Sequence, residues 1–281
     1  MRLLSPRDLA DALGVSESSL KRWIDAGKIE ATRTEGGHRR ILLAEAVRFI
    51  RESGAPLARP ELLGLPEVTH ARLRPDGGRL IGYLVDGDAV GARGWLMARY
   101  LAGATIAELC DEPVRDAMHE LGELWSHDEA GIFVEHRGTD CCLQALAQLR
   151  AMTTETPGAP IALGGAPEDD PYLLPSLMAA AVLSSAGMRT TNVGPDTPVS
   201  AFRHAVNTLR PRLVWISVTV ALAPARARSI ATWLATLPSS IVVVVGGQLA
   251  KSLPTPANVL RANSMGELSS IGSTIVTRAA S

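Results

Sequence analysis

The sequence has 281 residues, of which 46% are hydrophobic and 20% charged, and its formal net charge is -1. This length suggests two or three compact domains, and this composition is ordinary for a globular protein. The balanced charge argues against a chain that binds nucleic acid over its whole surface. Three cysteines, two of them adjacent, do not suggest a disulfide framework and are interpreted as small core residues.

No run of about 18 apolar residues is present, so no membrane span is expected. Asp8 and Asp11 interrupt the start of the chain, where a signal peptide would be apolar. A cytoplasmic location is therefore predicted. Residues 1–60 hold 11 Lys and Arg against 8 Asp and Glu, whereas the remainder holds 17 against 21. A small basic head on an acidic body is consistent with a local DNA contact.

The first 52 residues carry the signals of a helix-turn-helix. Ser5 followed by Pro6 predicts a first helix over 5–13, and Ser16 begins a second helix that ends at Gly27. Two helices joined by a glycine-containing turn form a helix-turn-helix candidate.

A hairpin and a linker are predicted next. Residues 29–33 and 38–42 flank a glycine pair and predict a hairpin, and a third helix follows over 44–52. Four prolines between residues 53 and 75 mark a linker with room for a short helical turn.

The remaining sequence divides into a helical part and an alternating part. Four helical segments, with Pro113 kinking or dividing the third, predict a central four-helix bundle; they lie near 79–85, 88–102, 105–126 and 128–151. From residue 159 onward, short apolar runs alternate with helices, which predicts a doubly wound parallel sheet. The predicted strands are 161–163, 189–193, 213–218, 241–245 and 259–262.

Short polar and basic side chains in the N-terminal region suit a DNA contact. On the second helix the exposed candidates are Ser16, Ser18, Ser19, Lys21 and Arg22. On the hairpin, or wing, they are Arg33, His38, Arg39 and Arg40. A recognition helix presents such groups to the major groove, and a basic wing grips phosphates. The alternative is a solvated basic hairpin in a protein-binding module.

The N-terminal region resembles the DNA-binding domain of the MerR superfamily. The resemblance rests on Leu13-Gly14-Val15-Ser16, Leu20-Lys21-Arg22-Trp23, Gly27 and Thr34-Glu35-Gly36-Gly37-His38-Arg39-Arg40. It implies a winged helix-turn-helix that binds double-stranded DNA.

The helical part holds Trp125, nine further residues, and then Glu135-His136. This spacing resembles the cobalamin-binding, light-sensing repressors of the MerR superfamily, the CarH/LitR type. The resemblance implies that Trp125 packs against the upper axial group of adenosylcobalamin and that Glu135 and His136 lie beside it, with His136 able to coordinate cobalt. Taken alone, the pair would be a buried Trp and a surface His.

The alternating part resembles the flavodoxin-like, cobalamin-binding domain of the same regulators. The matching positions are Val193-Gly194-Pro195-Asp196-Thr197-Pro198, Ser217, Thr219, Gly246 and Gly247. The resemblance implies that these segments surround the nucleotide tail of the cofactor. Ordinary strand-to-helix turns would carry similar residues.

One family motif is altered. Family members carry a His after the first strand that coordinates cobalt from below, whereas this chain reads Asp170-Pro171-Tyr172-Leu173-Leu174-Pro175. Tyr172 falls at the His position and Pro175 at a Gly position, and a phenol is a poor neutral ligand compared with imidazole. Three possibilities stay open: cobalamin in another ligation mode with His136 as the protein ligand, a different ligand in the same cleft, or a ligand-free oligomerisation scaffold.

The expected architecture is a winged helix-turn-helix over 1–52, a linker over 53–75, a helical cap over 76–153 and an α/β domain over 159–281. The resemblance implies a homo-oligomeric transcription regulator, a repressor, that senses adenosylcobalamin or hydroxocobalamin. No catalytic domain is expected, since no further stretch of chain remains to form one. A corrinoid-dependent enzyme component is the alternative of a different class.

Overall fold

A computed structural model describes residues 3–68, 79–124, 129–153 and 157–280. Within these ranges the chain forms two compact units, spanning 1–154 and 155–281. The first contains the helix-turn-helix and the helical region, and the second is an α/β sheet domain. This arrangement of elements confirms the predicted fold class.

The N-terminal elements form a winged helix-turn-helix. In chain order they are β1 (Leu3–Leu4), α1 (Pro6–Leu13), α2 (Glu17–Asp25), β2 (Thr32–Arg33), β3 (Arg39–Leu42) and α3 (Leu43–Ser53). The three strands form one antiparallel sheet in the order β1-β3-β2. Strand β1 was not predicted, because two residues are too few to show an alternating pattern.

Local capping explains where the first two helices begin. The Ser5 hydroxyl accepts the Asp8 N–H at 3.1 Å, and the Asp8 carboxylate accepts the Ser5 N–H at 3.0 Å, which forms a capping box. Ser16 caps α2 by accepting the Ser19 N–H at 3.1 Å. Gly14, with φ at +69°, ends α1 in the left-handed conformation that glycine adopts without strain.

The helical region follows the predicted segments. Its helices are α4 (Leu80–Asp86), α5 (Ala89–Leu101), α6 (Ile106–Leu109), α7 (Arg115–Leu124) and α8 (Glu129–Ala151). Pro113 lies in a π-helical turn, Cys110–Val114, that separates α6 from α7. The three cysteines are buried, and burial raises the pKa of the Cys142 thiol to about 12.

The segment 58–68 packs against its surroundings. The Ala12 carbonyl accepts the N–H groups of Ala58 and Arg59 at 2.9 and 3.0 Å. A 3₁₀ turn, Pro60–Leu63, buries Leu63, and Gln148 of α8 donates to Glu67. Residues 58–68 thus make specific contacts in a segment where the sequence predicts a linker with a short turn.

The second unit is a five-stranded parallel sheet in the order β5-β4-β6-β7-β8. Its elements are β4 (Ile161–Gly165), α9 (Leu173–Ser185), β5 (Arg189–Asn192), α10 (Val199–Leu209), β6 (Leu213–Ser217), α11 (Pro224–Ala235), β7 (Val242–Gly246), β8 (Val259–Arg261) and α12 (Met265–Ala280). This order is the flavodoxin-like one, whose ligands bind at the carboxyl ends of the strands.

Each face of the sheet has its own core. One core packs Val214, Ile216 and Trp233 under α10 and α11. The other packs Trp215 and Val244 under α9 and α12, together with small residues of α9. We call this second side of the sheet the α9 face.

Candidate DNA-binding and cofactor sites

Helix α2 presents a polar face to solvent. Ser16, Ser18, Lys21 and Arg22 are exposed, and Ser19 is half-buried. The structure ties part of this face together: Arg22 donates to the Ser19 hydroxyl at 3.1 Å. Lys21 pairs with Glu17 at 2.8 Å, and this bond lowers the pKa of the Glu17 carboxyl. The opposite side of the helix packs Trp23 against Phe49 of α3, with ring centroids 5.2 Å apart.

The wing is a short hairpin with a basic surface. Arg33 pairs with Arg39 across β2 and β3, and the Thr34 N–H donates to the His38 carbonyl at 2.9 Å. Arg33 and His38 are exposed, whereas Arg39 and Arg40 are half-buried.

Arg39 of the wing is bonded to the end of α2. The Arg39 guanidinium donates to the Asp25 carboxylate at the end of α2, at 2.6 Å. This bond joins the wing to the recognition helix and balances the charge of Arg39 beside Arg33. Asp25 carries no signal in the sequence that links it to the wing.

A second ionic contact holds the segment between α2 and the wing. Glu45 of α3 is buried and accepts the Glu30 N–H at 2.8 Å. Arg48 donates to Glu45 at 2.7 Å and to the Lys28 carbonyl at 2.9 Å. Burial opposes ionisation of Glu45, but the bonds from Arg48 and Glu30 prevail and lower its pKa.

In the helical region, α8 has an exposed apolar face. Ile132 is 53% exposed and Phe133 62% exposed. His136 is exposed three residues after Phe133, on the same side of the helix, and Glu135 is half-buried beside it. Trp125 lies outside the described residues, so its predicted position next to this face stays a prediction.

The predicted tail-binding residues lie at the carboxyl edge of the sheet. Ser217 ends β6 and pairs in register with Gly246, which ends β7. Gly247 has φ at +102°, and a Cβ there would meet the Val218 carbonyl oxygen at 2.3 Å, so the position requires glycine.

Thr219 binds the loop that carries the altered motif. The carboxylate of Asp170 is fully buried and accepts the Thr219 N–H at 2.6 Å and the Thr219 hydroxyl at 2.7 Å. Tyr172, at the family His position, is 51% exposed and caps α9 without a side-chain bond. The loop is thus closed on Thr219 by its own carboxylate.

These residues do not fit a cobalamin that is ligated from below by the protein and inserts its tail into the sheet domain. No imidazole stands at Tyr172, and the Asp170 carboxylate is already bound to Thr219. Below Ser217 on the α9 face, the buried Trp215 fills the space against Gly164. Sequence reasoning missed Trp215, because an apolar residue in a buried strand gives no signal of a ligand contact.

Membrane association by a spanning helix finds no support in the described part of the chain. None of its helices combines the length and the apolar character that a bilayer crossing needs. In the same part, no group of three or more His, Cys, Asp and Glu side chains could hold a metal ion.

Comparison with known proteins gives consistent matches. A helix-turn-helix domain family matches residues 3–53, and a B12 binding domain family matches residues 78–150. The chain is 28% identical over 260 residues to the HTH-type transcriptional repressor CarA of Myxococcus xanthus, covering 86% of this chain and 85% of the relative.

A solved structure shares the fold. The monomethylamine corrinoid protein of Methanosarcina barkeri superposes with a TM-score of 0.52 at 14% identity, covering 70% of this chain and 96% of the other. At this identity the similarity shows the fold alone. The domain matches indicate a chain that joins a helix-turn-helix domain to a B12 binding domain, and over most of its length this chain is similar to a transcriptional repressor.

Proposed function

We propose that this chain is a transcriptional repressor that binds double-stranded DNA through its winged helix-turn-helix. The observation that carries the proposal is the exposed polar face of α2 next to a basic wing, held to α2 by the Arg39–Asp25 bond. The similarity to a repressor, CarA, supports it. Ser16, Ser18, Ser19, Lys21 and Arg22 face the major groove, and Arg33, His38, Arg39 and Arg40 serve the wing contact.

The test is selection of binding sites from random double-stranded DNA by the full-length protein. We expect one enriched sequence, bound with lower affinity by Arg22→Ala, whose side chain lies on the exposed face of α2. Arg79→Ala is the matched control, since Arg79 is exposed in the helical region and pairs with Glu120 at 2.8 Å. Absence of any enriched sequence would contradict the proposal.

The B12-binding module is the sensor in this proposal. Its ligand is a corrinoid, with adenosylcobalamin and hydroxocobalamin as the first to be tried, and His136 is the candidate cobalt ligand. The exposed Ile132 and Phe133 beside His136 offer an apolar surface for a corrin ring. A change in the visible absorption spectrum when the purified protein is mixed with each cobalamin in darkness tests this assignment.

A ligand-free scaffold is the second candidate for the module. The Asp170–Thr219 bonds and the buried Trp215 favour it, because they close the site that a cobalamin tail would enter. An unchanged spectrum with every corrinoid would support this candidate. The proposal includes no catalytic step.

A further inference from the structure

Trp215 lies directly below the predicted tail site. Side chains two residues apart on a strand point to the same face of a sheet, so Trp215 and Ser217 share the α9 face. Trp215 pairs in register with Gly164 on β4 and with Val244 on β7. Ser217 and Gly246 form the next row toward the carboxyl edge. A ligand that enters past Ser217 and Gly246 therefore meets the indole of Trp215.

The indole fills the space between the sheet and α9. A Cβ at Gly164 would lie 2.1 Å from Trp215 Cδ2, so the ring extends across β4, where only a glycine leaves room for it. The helix above contributes Ala179 and Ala180, whose small side chains admit a large one opposite. Only 2% of Trp215 is exposed, so its neighbours enclose the ring.

The polar edge of Trp215 is buried together with the rest of the ring. Within the described part of the chain, the buried Nε1–H finds no hydrogen-bond acceptor. An unpaired buried donor is unfavourable, and a ligand acceptor could remove this cost only by reaching the Nε1–H. The complete burial of the ring leaves no path for such an acceptor, and steric exclusion is therefore its main effect.

The size of the indole matches the group that it would exclude. The nucleotide tail of cobalamin ends in dimethylbenzimidazole, a fused six- and five-membered ring like an indole. The protein thus supplies from its own chain a ring of the kind that the tail would insert.

Hydrogen bonds also tie together the loops at the carboxyl edge of the sheet. The Asp170 carboxylate accepts hydrogen bonds from the N–H and the hydroxyl of Thr219. Asp169, in the same loop, donates its N–H to Asp196 at 2.8 Å and accepts from Arg226 of α11 at 3.2 Å. These bonds join the loop after β4 to the segments that follow β5 and β6.

We propose that this chain takes a corrinoid without its nucleotide tail, a cobinamide-type ring, and that Trp215 sets this preference. The inference rests on the proposed corrinoid-sensing function. It differs from that function in naming the ligand and the residue that selects it.

The test is titration of the full-length protein in darkness with diaquocobinamide and with hydroxocobalamin, followed by visible absorbance and calorimetry. We expect the wild type to bind cobinamide at least about tenfold more tightly than cobalamin, a difference that equals about 1.4 kcal/mol. Trp215→Val removes the ring, and we expect it to raise cobalamin affinity about tenfold while changing cobinamide affinity by less than about threefold.

Trp233→Val is the matched control. Trp233 is also 2% exposed but packs on the opposite side of the sheet, against Phe202. Its loss lowers stability without opening the α9 face, so the ratio of the two affinities should stay at the wild-type value.

Two results would overturn the inference. One is a wild type that binds cobalamin more tightly than cobinamide, and the other is a wild type that binds neither. Both are measured on the wild type, so the outcome does not depend on whether Trp215→Val folds. Neither result touches the DNA-selection experiment, so a failure here is distinct from a failure of the repressor assignment.

Discussion

At the scale of single residues, neighbouring arginines of the wing take different roles. Arg39 is bonded to Asp25 at the end of α2. Arg40 lies half-buried on the other side of β3, and within the described part of the chain it forms no ion pair. Sequence reasoning treats both as phosphate contacts. Because of the Arg39–Asp25 bond, we expect Arg39 to act on the wing contact by positioning the wing and Arg40 to contact a phosphate directly.

Arg40→Ala should flatten the salt dependence of DNA binding. Each lost phosphate contact reduces the slope of log K against log salt by about 0.9, because fewer counterions are released. Fluorescence anisotropy of labelled DNA at several salt concentrations measures this slope. Arg39→Ala and Asp25→Ala should instead weaken binding to similar extents, and their double variant should add little to either single change. An unchanged slope for Arg40→Ala would remove Arg40 from the contact.

Asp170 is the residue whose loss should most disturb the altered loop. Asp170→Ala leaves the Thr219 N–H and hydroxyl without their buried acceptor, which should lower the free energy of unfolding by about 1–3 kcal/mol. Urea unfolding of the full-length protein measures the loss. Glu168→Ala is the control, since its bond to Arg226 is partly exposed and should be worth about 0–1 kcal/mol. Equal losses for both variants would show that the Asp170 bonds have no special weight.

At the scale of elements, one side chain joins the winged helix-turn-helix to the helical region. Arg51 of α3 donates to the carbonyls of Tyr100 and Ala104, the latter at 2.8 Å, and lies 3.8 Å from the centre of the Tyr100 ring. Tyr100 lies in the last turn of α5, where its carbonyl also accepts the Gly103 N–H at 3.1 Å, and Ala104 follows the end of the helix. Carbonyls at a helix C-terminus lack the intrahelical partners of the helix interior. A cation there also interacts favourably with the helix dipole.

Arg51→Met should therefore weaken the packing of α3 on α5. The apolar part of the side chain is kept, but the bonds to the Tyr100 and Ala104 carbonyls are lost, and the free energy of unfolding should fall by about 1–3 kcal/mol. Amide hydrogen exchange should also rise at the end of α5. Arg7→Met is the control, because Arg7 is exposed and lies 4.0 Å from Asp11. Unchanged exchange in α5 would contradict the capping role.

At the scale of the whole molecule, the exposed face of α8 sets an expectation for assembly. Large exposed apolar side chains that lie together mark surfaces covered by a ligand or a partner. We expect the corrinoid-loaded protein to sediment as a multiple of its 29.7 kDa chain mass. Phe133→Ser weakens the surface proposed for the corrin ring, so it should reduce the ligand-dependent assembled fraction. Val90→Ser, at a residue 43% exposed on α5, should not. Sedimentation velocity at micromolar concentration measures both, and a wild type that stays monomeric with ligand would contradict the expectation.

The sequence by itself determined the order and type of the elements. Ser5, Ser16 and Gly14 act within a few residues of themselves, so their capping roles are visible without a structure. The alternation of apolar runs and helices likewise determines a parallel sheet, because each parallel connection needs a crossover. Tyr172 at the family His position was also visible from the sequence.

Only the tertiary structure decided what surrounds the candidate sites. The Arg39–Asp25 and Asp170–Thr219 bonds join residues 14 and 49 positions apart, and no local pattern connects them. Strand β1 exists because β3 offers it an edge, not because Leu3 and Leu4 prefer an extended conformation. Both the sequence pattern and the structure place Trp215 in a buried strand. Its place across Gly164 and below Ser217 follows from strand register and alternation, which set the side chains that meet on one face.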